Sequence, residues 1–255
     1  EFHMSDRDLT LNPADYINND LSNVELIVHA VEQYEDGFIF DLANNDSCIV
    51  KRSFNELERL ISHVETLRLF FKQKESIPIV LNLGGFTNND FLDSENYKLC
   101  LERVIKNLNK INKTFSGYNF MPQTMPPFPW HQGGRSFHNL LTNINKLKDF
   151  LDAIDNNICL DISHTALSCF HYNENIIEHI ETIGEKIGHI HLSDAQGNSE
   201  EGLEVGNGTL DFKMIHKAIS KCKKDIYLIP EIWQGHLHEG EPFFRSLCRY
   251  LELIK

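Results

Sequence analysis

The chain has 255 residues, 41% of them hydrophobic, enough for a sizeable core built as one α/β barrel or as two small domains. Its 24 Lys and Arg face 37 Asp and Glu, a formal charge of −13, which argues against a general nucleic-acid binder that must neutralise phosphates. No apolar run reaches the ~18 residues of a membrane span. No basic-then-apolar leader opens the chain, and its six cysteines form no C-x-x-C pair, so a cytoplasmic protein with free thiols is predicted.

Glu1 to Met4 read as a cloning remnant ahead of a start methionine, and residues 1–23 as a lead-in. LTLN (9–12) is a marginal strand. VELIVHA (24–30) reads as a strand and GFIFDLA (37–43) as a short hairpin partner. Ser53 to Lys74 carries apolar residues at three- and four-residue steps. Ser53 with Glu56 makes a capping box at its start, so a helix is predicted there. IPIVLNLGG (77–85) is a strand, 93–113 a helix and GYNFMPQT (117–124) a strand. A proline-rich loop (125–136), a helix (137–155) and the strand NICLDI (157–162) follow. Then come a helix (173–186), the strand IGHIHLS (187–193), a long loop, a helix from Asp211 to Lys223, the strand DIYLIPE and a closing helix from Glu241 to Ile254. This alternation predicts parallel strands in a single domain, 24–255, closed as a barrel.

Three clusters of acids and imidazoles close the last three strands: Asp161 with His164, His189 and His191 with Asp194, and Glu231. Strand ends that present carboxylate and imidazole together gather ligands for one divalent cation. Taken singly the residues are ambiguous. Asp161 could cap the following helix with His164 incidental. His189 lies deeper than His191, which makes His191 the better ligand. Glu231 follows an apolar run and needs a partner at the rim. Trp233 and His236 come just after it, and Trp233 suits either packing or a sugar face. In the proline-rich loop, Arg135 could grip a phosphate or carboxylate while Trp130 stacks on a sugar and His131 stands ready to move a proton. A rigid loop packed over the rim is the equal alternative.

LDISH, HIHLSD, VGNGTLDF and PEIW, in that order, resemble the xylose-isomerase-like TIM-barrel superfamily over roughly residues 24–254. That group holds sugar and sugar-phosphate isomerases and epimerases as well as AP-endonuclease-type enzymes. The resemblance implies a TIM (β/α) barrel with one divalent metal (Mn, Co, Zn or Mg) held by Asp161, His191 and Glu231. It makes His164 an added ligand or substrate contact, and Asp194 and His29 further residues of the mouth. Too few residues precede VELIVHA for two strand-helix units. The barrel is therefore read as irregular at its N-terminal end, or the chain as the C-terminal part of a longer protein. Two positions depart from the pattern: Gln123 stands where a metal-binding glutamate is usual, and Asn82 where a histidine is. Gln123 can still offer an amide oxygen to the metal, but it cannot act as a base.

The function so implied is proton transfer on a small sugar or sugar acid, phosphorylated or not, by an isomerase or epimerase. Glu231 and His164 would move the protons, and His29, Trp130, His131, Arg135, Asp194, Trp233 and His236 would shape the substrate site. Neither nucleic acid nor membrane is an expected partner, and a homo-oligomer is left open. The alternative is a catalytically silent sugar-binding barrel of a multidomain carbohydrate-biosynthesis protein, which Gln123 favours. An AP-site nuclease is disfavoured by the charge and by Asn82 and Gln123.

Overall fold

Apolar residues at helical and strand spacings set the order of elements. The computed structural model describes residues 1–72, 76–129, 135–222 and 225–255. Its strands are β1 (Phe2–His3), β2 (Val28–His29), β3 (Ile77–Leu81), β4 (Phe86–Thr87), β5 (Tyr118–Pro122), β6 (Phe137–His138), β7 (Ile158–Asp161), β8 (Ile187–Leu192), β9 (Asp194–Gln196), β10 (Glu200–Leu203) and β11 (Tyr227–Pro230). The α-helices are α1 (Ser47–Leu67), α2 (Ser94–Thr114), α3 (Ile144–Asp152), α4 (Ile162–Tyr172), α5 (Ile176–Ile183), α6 (Phe212–Ile219) and α7 (Glu241–Leu253). Among the described residues no helix is long and apolar enough to cross a membrane. Where the sequence reads as one domain, the chain divides into two compact units.

The first unit comprises Glu1–Gly85 and Ser94–Pro122. Its sheet runs β1-β2-β3-β5 with every neighbour parallel. Helix α1 buries Leu57, Leu60, Val64 and Leu67, and α2 buries Cys100, Val104, Leu108 and Ile111. Each such stripe follows the helical repeat, and a fully buried Leu or Val contributes roughly 1.5–3 kcal/mol.

Four sequence expectations change in this unit. Helix α1 starts six residues before Ser53, because Asp46 caps it by accepting from the Cys48 N–H. Ser53 is instead buried within the helix, and its hydroxyl accepts from the Asp41 N–H at 3.0 Å. GFIFDLA makes no strand beyond a single bridge between Gln33 and Ile39. The buried Asp41 carboxylate accepts from the Ala43 and Gly85 N–H groups and draws that segment out of extended pairing. Residues 9–12 hold no strand either; Asp8–Thr10 is a single 3-10 turn. Finally, Phe2 and His3, read as a cloning remnant, pair in parallel with Val28 and His29. A free strand edge offers unpaired N–H and C=O groups to any chain beside it.

The second unit comprises Phe86–Asp93 and Gln123–Lys255. Its main sheet is parallel, in the order β11-β8-β7. Leu160, Ile187, Ile190 and Leu192 on these strands are buried, as are Phe150 of α3 and Phe212 of α6. Helix α4, absent from the sequence reading, begins on the residue after β7 ends and stops at Asn173, which takes a left-handed conformation. With no loop between strand and helix, no change of periodicity announces it. The expected helix over 137–155 is two elements. Strand β6 pairs antiparallel with β4, and α3 starts only after Asn143 caps it. The long loop after β8 contains the antiparallel pair β9 and β10. All six cysteines are free thiols, with Cys100, Cys159 and Cys169 buried.

Candidate functional site

The three parallel strands of the second unit deliver the site. Asp161 is the last residue of β7, and the sheet register sets it against His191 of β8. Glu231 follows β11 directly, and its N–H extends the ladder by donating to the Leu192 carbonyl at 3.1 Å. Asp161, His191 and Glu231 each present one ligand atom, and these atoms all lie within 4.8 Å of one another. The convergence centres on His191 Nδ1, which is 2.5 Å from Glu231 Oε2 and 3.6 Å from Asp161 Oδ2. Asp161 and His191 are buried, whereas the Glu231 side chain is 31% exposed and so reaches the solvent side.

Asp161 divides its oxygens between two tasks. Oδ1 caps α4, accepting from the His164 N–H at 2.8 Å and the Ser163 hydroxyl at 3.0 Å. Oδ2 faces the other site groups. The strand end is pinned as well: the Asp161 N–H donates to Thr124 Oγ1 at 2.9 Å, and Thr165 Oγ1 donates to the Asp161 carbonyl at 2.6 Å. Such supports fix a carboxylate before any ligand arrives.

Gln123 makes a parallel bridge with Cys159 at the margin of this sheet, and its amide enters the cluster. Nε2 lies 3.1 Å from Asp161 Oδ2 and 3.2 Å from His191 Nδ1. One imidazole nitrogen cannot both accept from that amide and donate to Glu231, since it carries either a lone pair or a proton. A divalent cation would resolve the conflict. It would take the lone pairs of His191, Asp161 and Glu231 together, with the Gln123 amide turned to present its oxygen. The donor set, one imidazole and two carboxylates with an amide, suits zinc, manganese or cobalt.

His164, at the start of α4, places Nδ1 3.4 Å from Asp161 Oδ2 and Nε2 3.8 Å from Glu201 Oε2. Glu201 lies in β10 and escaped the sequence reading, which took that stretch as plain loop. The alternation of side chains around Glu201 was its only signal.

Other expected residues take different places. Asp194 was expected to orient substrate, but both its oxygens serve the backbone. Oδ2 accepts from Gly206 and Gly208 at 2.9 Å each, and Oδ1 from Ala195 at 2.9 Å and Leu210 at 3.2 Å. Four acceptor positions are about what an ionised carboxylate has, so Asp194 is a fastener for the VGNG loop. A Cβ on Gly208 would come within 2.4 Å of Asp194 Oδ1, which explains a glycine there. Trp233 is 64% exposed and is tied to β10 only through its backbone N–H, which donates to the Gly202 carbonyl. His236 and Arg135 are exposed. Trp130 and His131 lie outside the described residues. His29 belongs to the first unit, where Nδ1 donates to the Ala30 carbonyl at 2.9 Å and Nε2 lies 3.8 Å from Glu32.

Residues 14–252 match the family model described as xylose isomerase-like TIM barrel, and the chain belongs to that family. Its fold class is accordingly the α/β TIM barrel. An uncharacterized protein of Methanocaldococcus jannaschii, MJ1614, is 30% identical over 127 residues, covering 49% of this chain and 45% of that one. The match thus spans less than half the length of that relative. Among solved structures, a D-tagatose 3-epimerase-like protein shares 18% identity at a TM-score of 0.66, covering 95% of this chain and 80% of its own. A D-psicose 3-epimerase determined in the presence of D-fructose shares 13% identity at 0.64, covering 99% and 88%. A 3-keto-D-glucoside 4-epimerase, YcjR, from E. coli shares 12% at 0.60, covering 90% and 80%. At these identities the likeness is one of fold.

Proposed function

We propose that this protein is a sugar epimerase or isomerase that moves a proton at a carbon next to a carbonyl, assisted by one divalent metal. One observation carries the reading: Asp161, His191 and Glu231 converge within 4.8 Å at the exits of three adjacent parallel strands. The sugar epimerases among its fold neighbours support the same substrate class.

Asp161, His191 and Glu231 would hold the metal, with the Gln123 amide oxygen as a further donor. When bound, the metal polarises the sugar carbonyl or hydroxyl and lowers the cost of an enediolate. Glu231 is the group with both a place in the cluster and access to solvent, so it takes the proton from carbon. His164 is assigned the return of the proton, because it lies beside Asp161 on one side and Glu201 on the other. Asp161, already braced by α4, keeps its position while Glu231 changes protonation.

Incubation in D2O with D-tagatose, D-psicose, D-fructose and L-ribulose, each with Mn2+ or Co2+, tests the reading. Deuterium should enter at the carbon that inverts, and Glu231→Gln should abolish it. A second reading, a silent sugar binder, rests on the neutral amide of Gln123 in a position that could have held a base. Sugar binding by calorimetry with no deuterium in any of the four sugars would establish that reading instead.

A further inference from the structure

The parallel register that aligns Asp161 with His191 also aligns a second row one layer deeper. On β7, Cys159 and Asp161 are two residues apart and share a face; on β8, His189 and His191 do the same. Cys159 is the register partner of His189, as Asp161 is of His191. Cys159, His189 and His191 each present a ligand atom, and these atoms all lie within 4.8 Å of one another. All three residues are buried, and the His189 and His191 rings meet edge to face with centroids 4.9 Å apart.

The geometry points to a second metal site at Cys159, His189 and His191, one that takes a thiophilic cation, zinc or copper. Two imidazoles and one thiolate suit those ions, while the oxygen-rich set above suits harder ones. Binding replaces the thiol proton of Cys159, which leaves to solvent, and neither imidazole needs to carry charge. The sheet is closely packed here, so the three donors are held near each other before any ion arrives. Because His191 belongs to both rows, an ion below and an ion above compete for it or divide its two nitrogens. The chain is thereby sensitive to which metal it meets. This site shares only His191 with the upper row and does not depend on the sugar chemistry proposed above.

Cobalt tests it, because a thiolate bound to Co2+ gives a charge-transfer band in the near ultraviolet that oxygen and nitrogen ligands do not. The protein is produced in cobalt-supplemented medium, and separately stripped with chelator and titrated with Co2+. The band is expected in the wild type at about one ion per chain. It should vanish in Cys159→Ser and weaken at least several-fold in His189→Gln. It should persist in Glu231→Gln and Asp161→Asn, which disable only the upper row. Circular dichroism establishes that each variant is folded; if Cys159→Ser is not, His189→Gln decides. No thiolate band in either wild-type preparation, or a band that survives both deeper-row substitutions, overturns the proposal. A band lost in Glu231→Gln would also overturn it, by showing that the two rows are one site.

Discussion

Restoring a carboxylate at position 123 should destabilise the metal-free protein while tightening its hold on a metal ion. In the structure the Gln123 amide donates to Asp161 Oδ2 at 3.1 Å, in a setting where both residues are about 1% exposed. Gln123→Glu is nearly isosteric but sets a second negative charge at that distance. Two charges 3.1 Å apart repel by about 5 kcal/mol at an effective dielectric of about 20. The new acid can escape by holding a proton, and raising a carboxyl from its ordinary ~4.3 to 7 costs about 4 kcal/mol, which caps the loss at neutral pH. The sign follows from linkage. An acid whose folded pKa is raised leaves stability intact below the unfolded value and removes it as pH climbs through the folded one. Urea melts in EDTA should therefore show wild type and variant alike near pH 4 and diverging by up to about 4 kcal/mol at pH 7. Adding Mn2+ should narrow the gap, since the variant binds the ion more tightly, and 100-fold excess over Kd alone returns about 2.7 kcal/mol. Equal stability of the two proteins at pH 7 in EDTA, or equal Mn2+ affinity, would show that position 123 does not share a site with Asp161.

Further outcomes follow from other parts of the molecule. Asp194→Ala strips four backbone N–H groups of their acceptor and should lose about 4 kcal/mol in urea melts. Asp194→Asn should be nearly as damaging, because its NH2 would face N–H donors. In the first unit, Gly84→Ala should destabilise strongly by thermal melt, since Gly84 has φ +80° and an added Cβ would lie 2.1 Å from Asp41 Oδ1. Burial holds the His179 imidazole below its ordinary value of 6.5, against the raising effect of Glu174. A depressed base makes the unfolded chain take up the proton first, so stability should fall as pH drops below about 6.5. His179→Gln should flatten that part of the curve.

How much of this was legible in the sequence depends on whether the cause was local. The three converging residues Asp161, His191 and Glu231 stood out because a charged or imidazole side chain at the end of an apolar run is itself unusual. The strand cores around Ile79, Leu160 and Ile190 were equally plain from their unbroken apolar character. The loop-fastening role of Asp194 was hidden because three of its four partners are N–H groups 12 to 16 residues away, invisible to any reading of side-chain types. Helix α4 was missed because Asp161 is at once the last residue of a strand and the cap of a helix. The displaced start of α1 has the reverse cause. Ser53 and Glu56 spell a capping box, but Asp46 offers a cap about two turns earlier, and the longer helix buries Ser53 against Asp41. Glu201 emerged only when β9 and β10 paired and brought it within reach of His164.

The split duty of Asp161 has a bearing on how this barrel can drift over generations. One oxygen secures the first turn of α4 and the other faces His191 and Gln123, so erosion of the proposed chemistry does not release the residue from selection on folding. A descendant that had abandoned turnover would still keep an aspartate, or at most an asparagine, at this position. Its presence alone is poor testimony to a working enzyme; Glu231, which follows β11 and opens no helix, is the better witness.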